Sequence, residues 1–190
     1  MWAWNSLQAS LFELFNSLAG NAKTNHAIWH IFQSDKNQRE LILSVASAIL
    51  PTKSLRMRQI KWLISSTNTI APFRNAVVHT PLLFQYVREG EPSAIIFNRG
   101  PARKQMLQRL ELAGSGNSFW TAIAGDLFVL SQFASAMVWA SQPRPLGAEP
   151  RPSPHRPRLL SLRRIAEIDR QMSPPQGRKG RKRRRYASRA

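Results

Sequence analysis

The chain has 190 residues and a formal net charge of +18, from 28 Lys and Arg against 10 Asp and Glu. This length allows one domain with a substantial hydrophobic core. The chain contains no cysteine, which excludes disulfides, thiolate metal sites and cysteine nucleophiles. The first residues lack the basic segment of a secretory signal, and Glu13 interrupts the apolar stretch that follows. We therefore expect a cytoplasmic protein.

Charge and proline content divide the chain in two. Residues 1–141 hold 13 basic and 7 acidic residues, whereas residues 142–190 hold 15 basic and 3 acidic residues and eight of the 13 prolines. This composition predicts a helical domain over 1–141 and a Pro/Arg-rich, disordered basic tail over 142–190. One island, residues 159–172, has helical apolar spacing and is expected to order only on docking.

Four helices are predicted before residue 65. Leu7, Leu11 and Leu14 form an apolar stripe in the first helix, over residues 3–18. A short helix follows after Thr24. Ser34 is expected to cap a third helix that ends before Pro51, and Thr52 to cap a fourth. The polar segment 65–69 is predicted to be a break.

The helix after this break carries the most informative motif. Pro72 suits a first helical turn, because its missing N–H has no partner there. Asn75 and His79 are four residues apart and share one helix face, and the long side chain of Arg74 can reach that face. The amide of Asn75, the imidazole of His79 and the permanent cation of Arg74 are thus expected to lie close together. Such a group of side chains is suited to phosphate chemistry.

Beyond Pro81 the apolar period changes. Two short alternating stretches predict a β-hairpin at about 83–97, and helices follow from Pro101 and over 119–140. Residues 119–140 are apolar enough to be a candidate membrane span. Asp126 and Gln132 near the middle favour a buried core helix instead, so a membrane partner is not expected. The sequence predicts an all-α fold with one inserted hairpin.

Arg74-Asn75-Ala76-Val77-Val78-His79 resembles the motif of the HEPN superfamily (higher eukaryotes and prokaryotes nucleotide-binding). In that superfamily four to six residues separate Arg from His, and Asn often follows the Arg. The order of helices around the motif is also similar, and the resemblance covers roughly residues 1–141. It implies a HEPN-like helical bundle, and a homodimer formed through the Arg74–His79 helix region.

The resemblance also implies a function, that of a metal-independent endoribonuclease without a cofactor, in a toxin or antiphage role. Its catalytic residues would be Arg74, Asn75 and His79: His79 for proton transfer, Arg74 for phosphorane charge and Asn75 for orienting the imidazole. Some toxin members continue as H-x-Y, with a Tyr that is a site of nucleotide modification, whereas Thr80-Pro81 follow the His here, so this regulation is not transferred. The alternative is a catalytically silent HEPN module that binds nucleic acid or a partner protein.

Two further patterns were weighed. His26 and His30 have the spacing of metal-binding histidines, but no third ligand lies near them in sequence, so core or boundary positions are favoured over metal. The tail carries a dense cationic run for which RNA phosphate is the favoured partner, with nuclear import or an acidic membrane surface as alternatives. Its predicted RNA-binding residues are Arg178, Lys179, Arg181, Lys182, Arg183, Arg184 and Arg185.

Overall fold

Helices form most of the computed structural model. It describes residues 2–20, 22–79, 82–86, 92–96, 101–114, 117–143, 148–149 and 151–172. The elements over these residues are α1 Trp2–Leu18, α2 Asn25–Ile31, α3 Asp35–Ile49, α4 Leu55–His79, β1 Leu82–Tyr86, β2 Pro92–Ile96, α5 Pro101–Ala113, α6 Asn117–Ser141 and α7 Leu162–Met172. The predicted all-α class is confirmed, while the HEPN-like arrangement stays a prediction.

The apolar stripe of α1 lies at the centre of the core. Leu7, Leu11 and Leu14 have no exposed surface, in agreement with their helical spacing. Leu130 and Ala134 of α6 are equally buried and belong to the same cluster. Full burial of one such leucine is worth about 2 kcal/mol relative to leaving it exposed, so this stripe is a main source of stability.

A row of serines joins α1 to α6. Ser10 Oγ lies 2.9 Å from Ser131 Oγ and 3.1 Å from Ser135 Oγ, and Ser6 Oγ lies 3.0 Å from Ser131 Oγ. Because residue numbers rise together on the two helices, α1 and α6 run in the same direction. Small hydroxyl side chains let the helices approach closely while each buried oxygen keeps a hydrogen-bond partner.

Helix α6 also has the length and composition of a membrane span. Within the described part of the chain, Ser118–Ser141 is the one stretch that passes this test, and core helices of soluble proteins pass it too. Ile123, Leu127 and Leu130 of this helix are buried in the core of the bundle.

Helix α4 differs from its prediction in two ways. The segment 65–69 is helical, and the hydroxyls of Thr67 and Thr69 donate back to the carbonyls of Leu63 and Ser65 at 2.9 and 3.0 Å. The predicted break is therefore wrong, and Pro72 lies inside the helix instead of at its start.

The cap of α4 was also predicted at the wrong residue. The helix begins at Leu55, and the cap is Ser54, whose hydroxyl accepts a hydrogen bond from the backbone N–H of Met57 at 3.2 Å. Thr52 lies in the preceding turn. The Ser34 cap of α3 is confirmed, with Asn37 N donating to its hydroxyl at 3.1 Å.

Two short strands lie between α4 and α5. They pair antiparallel, with Leu82 opposite Ile96 and Tyr86 opposite Pro92. The connection between them, residues 87–91, lies outside the described residues, and the complete hairpin therefore stays a prediction.

The chain beyond α6 corrects the prediction of a disordered tail from residue 142. Residues 151–172, here called the arm, pack against the bundle. Gln59 of α4 donates a hydrogen bond to the carbonyl of Pro154 at 2.6 Å, and Arg151 stacks over Trp139 with its guanidinium 4.2 Å from the ring centroid. Ile165 and Ile168 of α7 are 1% and 0% exposed. The predicted boundary at residue 141 thus cuts through one packed unit.

Asp126 holds the arm where α7 begins. Its carboxylate, in a side chain only 2% exposed, accepts hydrogen bonds from the N–H groups of Leu160 and Ser161 at 2.8 and 2.7 Å. The Ser161 hydroxyl donates a third, at 2.6 Å. Since Ile165 N in turn bonds to the Ser161 carbonyl, the carboxylate anchors the first turn of α7 to α6. The proline-rich composition of the arm predicted disorder. Composition cannot show that a carboxylate elsewhere in the chain accepts hydrogen bonds from the arm.

Candidate functional site

Arg74 and Asn75 lie on the part of α4 that faces α1 and α3. Arg74 Nη1 donates to the side-chain oxygen of Asn75 at 2.9 Å and lies 3.4 Å from Asp35 Oδ2. The Arg74 guanidinium also lies over the ring of Trp4, 4.7 Å from its centroid. Side chains from three helices therefore fix the position of this cation.

Asp35 and Trp4 are linked to each other as well. The indole Nε1 of Trp4 donates to Asp35 Oδ2 at 3.1 Å. Asp35 occupies the first turn of α3, which the Ser34 hydroxyl caps. The N-terminus of α3, where the helix dipole favours a negative charge, therefore places the carboxylate of Asp35 next to Arg74.

Arg39 is a second cation at this place, and it is almost fully buried, with 4% of its surface exposed. Its Nε donates to Asn68 Oδ1 at 2.6 Å, whereas Nη1 is buried without a hydrogen-bond partner in the described part of the chain. Burial lowers the pKa of Arg39, Asp35 and Glu40 oppose that effect, and Arg74 adds to it. Such an unpaired buried donor is costly, so a partner for it would stabilise the site.

These side chains surround a cleft of about 390 Å³. Its walls combine two guanidinium groups, an ammonium group, amides, a hydroxyl and an aromatic ring around one carboxylate. They are Trp4, Gln33, Ser34, Asp35, Lys36, Arg39, Ala71, Arg74 and Asn75. Three cations line the cleft with the carboxylate of Asp35, and Glu40, just outside the lining, pairs with Lys36 at 3.6 Å. The remaining excess of positive charge suits an anionic ligand, and the guanidinium of Arg74 has the planar donor geometry that matches phosphate.

Comparison of the chain with protein-family models, with curated proteins and with solved structures gave no match.

The structure brings together two of the three predicted catalytic residues, Arg74 and Asn75. The backbone of His79 ends α4, and its side chain lies outside the described residues. Helix geometry places its backbone about 7.5 Å along the axis from Arg74 and on the same face as Asn75. The predicted contact between Asn75 and the imidazole stays a prediction; the contact observed for Asn75 is with Arg74.

Three cleft residues were missed by sequence reasoning: Trp4, Asp35 and Arg39. Asp35 directly follows the predicted cap Ser34, and no role in a site was predicted for it. The spacing of Asp35 and Arg39, one turn apart on α3, was the signal that a charged face existed there. Trp4 gave no signal, because nothing local shows which helix an aromatic side chain will meet.

The two other predicted sites are the histidine pair of α2 and the cationic run of the tail. His26 and His30 are exposed, so the core or boundary position expected for them is wrong, and their Nε2 atoms lie 3.2 Å apart. Among the described residues no three potential ligands are grouped to hold a metal ion. The cationic run 178–185 lies outside the described residues, and its role in binding RNA stays a prediction.

Proposed function

We propose that this protein is a metal-independent endoribonuclease with a HEPN-like bundle, in which the cleft at Arg74 binds the scissile phosphate. The observation that carries the proposal is the fixed position of Arg74 and Asn75 beside the buried, unpaired donor of Arg39, with His79 five residues further along the same helix. A toxin or antiphage role is consistent with such an activity.

The reaction needs no group beyond side chains and RNA. The 2′-oxygen of the ribose attacks the adjacent phosphorus and loses its proton to a base. The bond from phosphorus to the 5′-oxygen then breaks, and an acid protonates that leaving oxygen. The products are a 2′,3′-cyclic phosphate and a 5′-hydroxyl. Arg74 would stabilise the added negative charge on the equatorial oxygens.

Two proton transfers require two groups, but each copy of the motif supplies one imidazole. We therefore propose a homodimer in which the Arg74–His79 regions of two chains meet, so that one His79 acts as base and the other as acid. Titration of an imidazole near neutral pH suits both roles.

A second candidate, a silent module that binds nucleic acid or a partner protein without cleaving RNA, is favoured by one contact. Asp35 already neutralises part of the charge of Arg74 at 3.4 Å. A guanidinium whose charge is partly neutralised by a carboxylate stabilises a transition state less than an unpaired guanidinium does.

Cleavage of single-stranded RNA in EDTA tests the proposal. Wild type is expected to form 2′,3′-cyclic phosphate ends, detected by mass spectrometry. Arg74→Ala and His79→Ala are each expected to lose at least about 100-fold in rate, the usual effect of removing a charge-stabilising or proton-transfer group.

Arg163→Ala and His155→Ala are matched controls, because they remove the same residue types from exposed positions. Each control should keep full activity, and circular dichroism should show every variant folded. Unchanged cleavage by folded His79→Ala would rule out the catalytic assignment. RNA binding by a wild type that does not cleave would support the silent module. Sedimentation equilibrium would report the dimer.

A further inference from the structure

The exposed edge of α4 carries an unbroken line of polar side chains. Arg58, Lys61, Ser65 and Asn68 are all exposed, and their spacing of three, four and three residues places them on one helix face. Asn75 in the cleft lies two turns beyond Asn68 on the same helix face, with Ala71 and Pro72 between them. We refer to the four exposed residues, together with Arg156 of the arm, as the α4 track.

The arm completes this track. Arg156 donates to the carbonyl of Arg58 at 2.9 Å, and its guanidinium lies 6.0 Å from the ring centroid of Trp62. Two arginines 98 positions apart in sequence thus become neighbours, and Lys61 lies one helical turn along α4 from Arg58. Sequence composition alone does not reveal this cluster, because it forms only through the docking of the arm.

The cations of the track are not compensated by nearby acids. Arg58, Lys61 and Arg156 form no salt bridge in the described part of the chain, and α4 contains no Asp or Glu. The two carboxylates of α3 are already engaged, Asp35 with Arg74 and Glu40 with Lys36.

A groove lies between α3 and α4 along the middle of the track. Its volume is about 360 Å³, and it is lined by Lys61, Ile64, Ser65, Asn68 and Thr69 of α4, with Leu43 on the side of α3. Asn68 connects the groove to the cleft, because its side-chain oxygen accepts the hydrogen bond of Arg39. Hydroxyl, amide and ammonium groups in a groove suit a phosphate backbone with its sugars.

We propose that the α4 track binds the backbone of single-stranded RNA and leads it to Arg74; this rests on the proposed function and names the path of its substrate. From Arg58 to Arg74 the helix rises about 24 Å, enough for several nucleotides. An RNA strand is favoured over an acidic membrane surface because the cations border a groove in which four of the six lining side chains, Lys61, Ser65, Asn68 and Thr69, carry hydrogen-bonding groups.

Binding of fluorescein-labelled 2′-O-methyl RNA, which cannot undergo the cleavage, tests the track by fluorescence anisotropy over a salt series. Arg58→Ala/Lys61→Ala should weaken binding and reduce the slope of log K against log [salt] by about 1.4, the value for two lost phosphate contacts on a single strand. The control Lys23→Ala/Arg163→Ala removes the same two residue types from other exposed positions and should leave the slope unchanged. Thermal melting should show both double variants folded.

An equal change of slope in both double variants would overturn the proposal that the α4 track binds RNA, since the change would then reflect net charge alone. Loss of binding to phosphatidylserine vesicles with an unchanged RNA slope would overturn it in favour of a membrane surface. The cleavage assay is independent of this one. If Arg58→Ala/Lys61→Ala reduces the slope but the wild type never cleaves RNA, the α4 track is supported and the nuclease is rejected. If the wild type cleaves RNA but the double variant leaves the slope unchanged, the nuclease is supported and the track is rejected.

Discussion

The carboxylate of Asp35 lies against the guanidinium of Arg74, with 3.4 Å between Oδ2 and Nη1. The same oxygen accepts the indole hydrogen bond of Trp4 at 3.1 Å. In the proposed complex a phosphate oxygen would occupy this side of Arg74. Asp35 therefore both positions the cation and competes with the ligand for it.

Asp35→Asn should make binding of 2′-O-methyl RNA roughly 1.4- to fivefold tighter, because it removes a competing charge worth about 0.2–1 kcal/mol while keeping an acceptor for Trp4. Titration by fluorescence anisotropy measures the effect. Glu111→Gln removes the same charge from an exposed position of α5 that does not line the cleft, and it should change the affinity less. Weaker binding by Asp35→Asn would show that Asp35 serves mainly to position Arg74.

Asp126→Asn should release the arm from α6. The amide cannot accept all three hydrogen bonds of the carboxylate, so we expect a loss of about 2 kcal/mol in the free energy of unfolding. Hydrogen exchange over residues 151–172 should rise more than exchange in α1. Glu167→Gln, at partly exposed ion pairs with Arg163 and Arg164, is the control and should change stability by less than about 1 kcal/mol. Unchanged protection of the arm would contradict this account of Asp126.

Two truncations separate the arm from the residues after it. A chain ending at Met172 keeps the packing contacts of the arm, so we expect its melting temperature to stay close to that of the full chain. It should bind RNA with a smaller salt slope, because it lacks the cationic run. A chain ending at Ser141 should melt well below the full chain, since it also loses Ile165 and Ile168 from the core. Equal melting temperatures for the two truncations would show that the arm adds no stability.

Pro72→Ala should raise the free energy of unfolding by about 1 kcal/mol. The alanine restores an N–H for the carbonyl of Asn68 and removes the ring from the helix interior, gains that exceed the added entropy of the unfolded chain. Urea denaturation measures it. Pro51→Ala, outside any helix, should give no such gain. A loss of stability at Pro72→Ala would mean that the surrounding packing depends on the proline.

Sequence periodicity predicted the helices with long apolar stripes, and it failed where polar residues form hydrogen bonds within a helix. Segment 65–69 was interpreted as a break because threonine, serine and asparagine favour turns. In the fold, Thr67 and Thr69 return hydrogen bonds to α4 itself and Asn68 serves Arg39 of α3. Whether such residues break a helix depends on partners that only the folded chain supplies.

The candidate site was predicted in part for a related reason. Arg74 and Asn75 were identified because they lie within one short motif. Trp4, Asp35 and Arg39 come from two other helices, and their approach depends on how α1 and α3 pack against α4. The arm was missed likewise, since its anchor, Asp126, lies 34 residues before Leu160.

The serine contacts between α1 and α6 join residues 121 and 125 positions apart. During synthesis at about 5–20 residues per second, α1 would wait roughly 6–25 s before α6 emerged to cover it. Throughout that interval the leucine stripe of α1 lacks its main partner. The nascent chain is thus a natural client for chaperones that bind exposed apolar helices, and a ribosome that pauses before α6 would prolong its risk of aggregation.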